Sequence, residues 1–403
     1  MNIHDVERIL QSTDYVRLGG SAEELRCASY LRERCADMGL DARIESFSLR
    51  MYERATDALT VDGEAIACTS YGGVASAEVT APLYYMEDTS PASLKRCRGT
   101  IVLLDRRMGY KTYDLLLSHG ARGFITCGGN LNDTDRRIDA HDLCFTTEGE
   151  GIPGVHIHIA DGVRLVRDQA REATLCVKQI SDTGESHNVV LDLAGECEET
   201  VLVCAHYDST SLSHGAYDNM SACIVLLSLA EYFSKTPHRR RIRLLWCGSE
   251  EKGLLGSRAY CDAHADELKD VVLNVNLDML GSVLGSFVVL SCANTALTDY
   301  LERFVKERDI PATVRYGIRS SDSNSFVQKG VPAVSFARYT PGGLPPIHSP
   351  HDTMELVDAR RLLRDAEWIA QFVNEVADLV PLPFPREISE KIRTDVEEYF
   401  QRK

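Results

Sequence analysis

No run of this chain approaches the roughly 18 consecutive apolar residues of a membrane-spanning helix, so no span is expected. The start, Met1-Asn2-Ile3-His4-Asp5-Val6-Glu7-Arg8, lacks the basic-then-apolar order of a secretory signal. Thirteen cysteines are present, an odd number, and no CxxC spacing occurs among them. Cys204, Cys223, Cys247 and Cys292 lie inside apolar runs, where the thiol behaves as a small hydrophobe. A disulfide framework is therefore not expected, and a reducing, cytoplasmic setting is. A basic stripe is missing too. The net charge of -16 excludes nucleic acid as the partner, and the short cluster His238-Arg239-Arg240-Arg241 reads as a solvated turn before a strand. Internal repeats and low-complexity tracts are absent.

What is present suits a large soluble globular protein. With 403 residues the chain has room for two domains, and 44% hydrophobic with 26% charged residues is ordinary globular composition. Ser21 with Glu24 three positions on predicts a capping box, followed by a helix whose Leu25, Ala28, Leu31 and Cys35 share a face up to Gly39. Arg43–Leu49 alternates as a strand does. From His187 onward strands at 188–193, 201–205, 242–247, 271–277, 287–291 and 333–336 alternate with helices at 219–233, 295–308 and 358–379. That alternation predicts an α/β fold in three layers, a mostly parallel mixed sheet flanked by helices, with functional residues at the carboxyl ends of the strands. Between them, 50–182 shows short β-like runs and a strand–helix–strand piece over 98–125 without any metal-ligand motif. It is expected to be a smaller, β-rich inserted domain, leaving 1–49 and 183–385 as one discontinuous domain and 386–403 as an exposed helical tail.

Chemistry-bearing residues cluster where strands end. His206 and Asp208 close one apolar run, and Asp208 is placed to orient the His206 imidazole; a satisfied core histidine would look the same. Asp218 precedes an apolar helix, as an N-cap would, or as a carboxylate bridging two cations would. Glu250-Glu251 follows the apolar run Arg241–Cys247 and precedes a glycine-rich stretch. Two like charges there repel unless one carboxylate ligates a cation and its neighbour stays free as a base. Asp278 ends another strand, where a turn-forming Asp is common. A late loop, Pro346-Ile347-His348-Ser349-Pro350-His351-Asp352-Thr353, offers two histidines that spacing alone does not separate. Together these supply the imidazole and carboxylate mix found around zinc.

In order and spacing these motifs resemble the co-catalytic zinc aminopeptidases, a family that includes aminopeptidase Y-like enzymes and glutamate carboxypeptidase. The matching pieces are His206-Tyr207-Asp208, Gly215-Ala216-Tyr217-Asp218-Asn219-Met220-Ser221, Glu250-Glu251-Lys252-Gly253-Leu254-Leu255-Gly256-Ser257, Asn276-Leu277-Asp278-Met279-Leu280-Gly281 and His348 through Thr353. The resemblance covers about residues 1–49 and 183–380, and the segment between looks like a protease-associated domain. It implies two Zn²⁺ (Co²⁺ or Mn²⁺ being alternatives) with Asp218 bridging, His206 and Asp278 on one ion, Glu251 and His348 on the other. Glu250 would be the general base for a metal-activated water and Asp208 the partner of His206. Peptides are the implied substrates, cut at the amino end. Ile347 departs from the pattern, since many members place there a Tyr that donates to the oxyanion; Tyr339 is a candidate replacement. His351 is read as a loop residue. Ser321, Asp322 and Phe326 resemble a stretch near the family's specificity pocket. The alternatives are a carboxypeptidase, with Arg315, Arg319 or Arg338 clamping a free carboxylate, another amidohydrolase such as a glutaminyl cyclase relative, or a non-catalytic receptor-like homologue.

Overall fold

In the computed structural model the described residues are 1–143, 151–342, 344 and 347–401; Cys144, Pro346, Arg402 and Lys403 lie outside them. The chain forms two compact units, Met1–Leu49 with Glu185–Tyr399, and Arg50–Gly184 with the chain end from Phe400.

The first unit is built on a sheet in the order Ala312–Tyr316, Ser286–Cys292, Ala333–Tyr339, Val271–Asp278, Cys197–His206, Arg240–Cys247, and finally Val189–Leu193 of the long strand Glu172–Leu193. The middle four strands are all parallel; antiparallel pairings occur between Ser286–Cys292 and Ala333–Tyr339 and between Arg240–Cys247 and Val189–Leu193. The three layers follow from side-chain alternation along each strand. Val201, Val203 and Ala205 join a core with the helices Ser221–Phe233 and Ala359–Asp378. Leu202 and Cys204 face the other way, onto Tyr260 and Cys261 of Leu255–Ala263 and Phe326 of Ser323–Gln328. Ser221–Phe233 is apolar nearly all round and correspondingly buried.

The second unit has its own sheet. Ala77–Tyr85, Ile101–Leu104, Gly123–Gly128 and Gly154–His158 lie parallel in that order, Thr69–Ser70 runs antiparallel to the last, and Ala173–Val177 of Glu172–Leu193 antiparallel to the first. The helices Tyr110–Ser118 and Ile159–Arg167 belong to it. Every described cysteine in the chain is a free thiol, and no helix among the described residues is long and apolar enough to cross a membrane.

Four expectations are corrected. The helix expected from Asn219 begins at Ser221, because Asp218 and Asn219 take non-helical backbone angles. The capping box at Ser21 is only half formed: Ser21 accepts from Glu24 N–H, but the Glu24 carboxylate turns inward instead of returning to Ser21. The basic cluster is not a solvated turn. Arg240 opens a strand, is 2% exposed, pairs with Glu199 at 2.9 Å and donates to the carbonyls of Val376 and Leu379, which close the end of a helix. Finally, the last helix, Glu390–Gln401, is not simply exposed, since Ile392 and Val396 are buried.

Candidate active site

The four central parallel strands end side by side, and the residues with chemistry stand on their ends. His206 and Asp278 are the last residues of neighbouring strands, whose pairing through Cys204 and Asn276 sets them level. Glu250-Glu251 follow Arg240–Cys247 through a turn at Ser249, φ 52°. Asp218 comes from the irregular stretch before Ser221–Phe233, and His348 from the late loop.

These side chains converge. Asp218 gives one oxygen to each imidazole: Oδ1 lies 3.2 Å from His206 Nε2, and Oδ2 lies 3.1 Å from His348 Nε2. Asp278 Oδ1 is 3.9 Å from His206 Nε2, and Glu251 Oε1 is 2.9 Å from His348 Nε2. Two donor triplets thus share Asp218, namely His206–Asp218–Asp278 and Asp218–Glu251–His348, with the donor atoms of each within 4.8 Å of one another. His206, Glu250 and Glu251 form an overlapping triplet, so the Glu250 carboxylate stands beside both. Asp208 lies behind His206, its Oδ1 3.4 Å from Nδ1, a long contact that leaves that nitrogen without a hydrogen bond among the described residues. Its two oxygens accept instead the N–H groups of Glu250 at 2.9 Å and Glu251 at 3.1 Å, fixing the backbone of the acidic pair.

The electrostatics follow from crowding carboxylates around two rings. Burial opposes charge on His206, yet Glu250, Asp208 and Asp218 hold its imidazolium well above the ordinary range. His348, likewise opposed by burial, is pushed up to about 11 by Glu251 and Asp218. Asp218 overcomes burial through His206 and His348 and is held well below the usual carboxylate range. Asp278 goes the other way, pushed up to about 8 by burial and by the charge of Asp218. Its Oδ1 is buried without a hydrogen-bond partner among the described residues. A buried acceptor left unpaired costs on the order of 1–3 kcal/mol, and a cation between Asp278, Asp218 and His206 would relieve it. Imidazole and carboxylate donors in this arrangement fit zinc.

Spacing alone did not reveal what holds these side chains in place. Asp352, buried, accepts Tyr217 N–H at 2.8 Å and Asp218 N–H at 3.0 Å. Asn219 bridges to the Asp278 strand end, donating to Leu277 O at 3.0 Å and accepting Met279 N–H at 2.9 Å. Arg17, fully buried, donates to the carbonyls of Thr13, Tyr15, Tyr207, His214 and Gly215, tying down the loop between His206 and Asp218. Glu24 accepts from Gly20 N–H, Ser186 Oγ and both the N–H and Oγ of Ser249, and so shapes the turn into Glu250. Replacing Asp352 by Ala leaves two buried N–H groups unpaired; a loss of about 2–4 kcal/mol in denaturant unfolding is expected, together with weaker zinc retention.

Glu24 carries a pH dependence whose sign is fixed by its shift. Burial and the charge of Asp208 push its carboxyl up to about 7 from an ordinary 4.5. The folded state therefore holds the Glu24 proton more tightly than the unfolded state does. Its stabilising contribution is complete below pH about 4.5 and fades as pH rises to about 7, by up to about 3 kcal/mol. Unfolding curves at pH 5 and 7.5 should show this slope flattened in Glu24→Gln.

Around the cluster, His351 is exposed and stands outside all the donor triplets. Ile347 offers no donor, whereas Tyr339 closes the strand beside Asp278, where burial and the Asp278 charge raise its phenol. Asp322 is buried with neither oxygen hydrogen-bonded among the described residues, and Phe326 packs under the sheet. Of the arginines expected as carboxylate clamps, Arg338 is buried and committed to Asp365 at 2.9 Å and 2.5 Å, and Arg315 and Arg319 are exposed.

A strand-end cluster of imidazoles and carboxylates on a mostly parallel three-layer sheet is the arrangement of a metallopeptidase. Residues 188–373 match the model of peptidase family M28. Aminopeptidase YwaD of Bacillus subtilis is 27% identical over 384 residues, covering 89% of this chain and 81% of that protein. The structure of BSAP, a zinc aminopeptidase from Bacillus subtilis, superposes with a TM-score of 0.79 at 24% identity over 97% of this chain and 98% of that one. Porphyromonas gingivalis glutaminyl cyclase shares the fold more distantly, with a TM-score of 0.51 at 13% identity over 93% and 96% of the two chains.

Proposed function

We propose that this protein is a two-zinc aminopeptidase that removes residues from the amino end of peptides. The observation that carries the reading is the carboxylate of Asp218, with one oxygen toward His206 and the other toward His348 at nearly equal distances. His206, Asp218 and Asp278 would hold one ion, and Asp218, Glu251 and His348 the other, with cobalt or manganese as substitutes. When bound, such a pair acidifies a water and polarises the scissile carbonyl. Glu250, which neither ligand set needs, takes the proton from that water and returns it to the departing amine. Asp208 keeps Glu250 on station through its backbone N–H and sets the face of the His206 ring. Tyr339, beside Asp278, is the available phenol for the carbonyl oxygen that Ile347 cannot serve.

The carboxypeptidase alternative loses one of its three candidate clamps, because the Arg338 guanidinium is already paired with Asp365 in the interior. A glutaminyl cyclase shares the fold, so fold alone does not choose between cyclisation and hydrolysis. Assaying aminoacyl nitroanilides against N-acylated peptides with a free carboxyl group and peptides beginning with Gln separates the three. Rapid cleavage of the first, with little turnover of the second and no cyclisation of the third, is the expected result. A preference for the N-acylated peptides would overturn the assignment.

A further inference from the structure

The Arg50–Gly184 unit contains a cavity whose lining includes none of the candidate metal ligands. It encloses about 310 Å³ between Tyr85, Leu103, Cys127, Ile159, Val163 and Val166, within the range of roughly 300–1,000 Å³ of small-ligand sites. Its position is not accidental. Tyr85 ends its strand, and Leu103 and Cys127 are next to last in the two that follow, all three strands being parallel. Ile159, Val163 and Val166 come from Ile159–Arg167, the helix that directly follows the next parallel strand, Gly154–His158. The carboxyl edge of an open parallel sheet is where such folds take ligands. Gly162 allows the helix to lie close, since a Cβ there would come within 2.8 Å of Cys127 Sγ.

Two opposite charges border the apolar walls. Asp105 follows its strand directly, and Arg167 ends the helix. Arg167 is exposed and pairs with no carboxylate among the described residues. Among the described residues Asp105 forms an ion pair only with its neighbour Arg106, at 2.8 Å, an exposed pair of the kind that holds a carboxylate weakly. An apolar pocket with a free guanidinium and an accessible carboxylate at its mouth suits a zwitterion with a hydrocarbon side chain. We infer that this cavity binds a free α-amino acid of leucine type, Arg167 taking the carboxylate, Asp105 the ammonium group and the walls the side chain. The inference stands on the cavity and its charges and is independent of the aminopeptidase reading, although the ligand belongs to the product class of that reaction.

Calorimetric titration of the zinc-loaded full chain with L-leucine tests it. Val163→Trp should fill the cavity and remove one equivalent of leucine binding. Arg167→Gln, which leaves the cavity open, should weaken leucine at least about tenfold while leaving leucinamide binding unchanged. Leucine held at the catalytic centre instead would survive both substitutions and vanish in Asp218→Ala. Identical isotherms for the parent, Val163→Trp and Arg167→Gln would overturn the proposal. Loss of binding in Asp218→Ala alone would do so equally. Should the chain prove not to be an aminopeptidase, the binding sensitive to Val163→Trp would persist, so the two failures are separable.

Discussion

Glu250→Gln is expected to lower kcat about 1,000-fold while the protein keeps its full zinc content and a KM within a few-fold of the parent value. The substitution preserves shape and removes only the capacity to accept a proton, and general bases of this kind contribute about 10²–10⁴-fold. Structure should survive it, because what anchors this stretch is the main chain: Asp208 accepts the N–H groups of Glu250 and Glu251, and Glu24 accepts that of Ser249. Zinc should survive it too, since the triplets His206–Asp218–Asp278 and Asp218–Glu251–His348 are complete without Glu250. Steady-state kinetics on an aminoacyl nitroanilide, with metal analysis on the same preparation, read both halves. Normal turnover would remove Glu250 from the role of base; lost zinc would make it a ligand instead.

Legibility in the sequence tracked how strongly burial patterned the residues. The central strands were visible because both faces are covered, so apolar residues run continuously from Val201 to Ala205 and from Leu244 to Cys247. The edge strand Ala312–Tyr316 was passed over, its burial alternating with exposed Thr313 and Arg315. Gly154–His158 was missed for a different reason. His156 and His158 look like surface positions, yet both are buried, with His156 Nδ1 2.7 Å from Thr126 Oγ1. Amino-acid type reports solvent exposure only on average.

The convergent residues could be named in advance because metal-type chemistry needs particular side chains after particular strands. Their supports could not. Asp352, Arg17 and Glu24 act through main-chain groups far away in sequence, and a carbonyl or N–H carries no residue identity for a motif to display. Asp208 lay between the two cases: its place next to His206 was legible, but its double grip on Glu250 and Glu251 appears only in three dimensions. The N-cap explanation of Asp218 failed likewise for a tertiary reason. Asp352 holds Tyr217 and Asp218 by their N–H groups, and Asn219 reaches across to Leu277 and Met279, so the helix cannot begin before Ser221.

Removing the shared carboxylate should have the other large effect. Asp218→Ala takes a donor from both triplets at once, so bound zinc is expected to drop from two equivalents to less than one, with activity reduced by about 10³-fold or more, a loss of at least about 4 kcal/mol of transition-state stabilisation. Asp278→Ala and Glu251→Ala each remove a donor from only one of the two triplets that share Asp218 and should each cost about one equivalent. The contrast matters more than the size of any one loss. Independent sites would lose zinc in proportion to the ligands removed from each, whereas a bridged pair fails as a unit when the bridge goes. Folding should tolerate the change, since the N–H of residue 218 remains to be accepted by Asp352. Metal analysis of the three variants at equal protein concentration, with circular dichroism to verify the fold, decides the matter. One equivalent retained in Asp218→Ala, with activity near the parent level, would mean that the carboxylate between the two imidazoles bridges nothing.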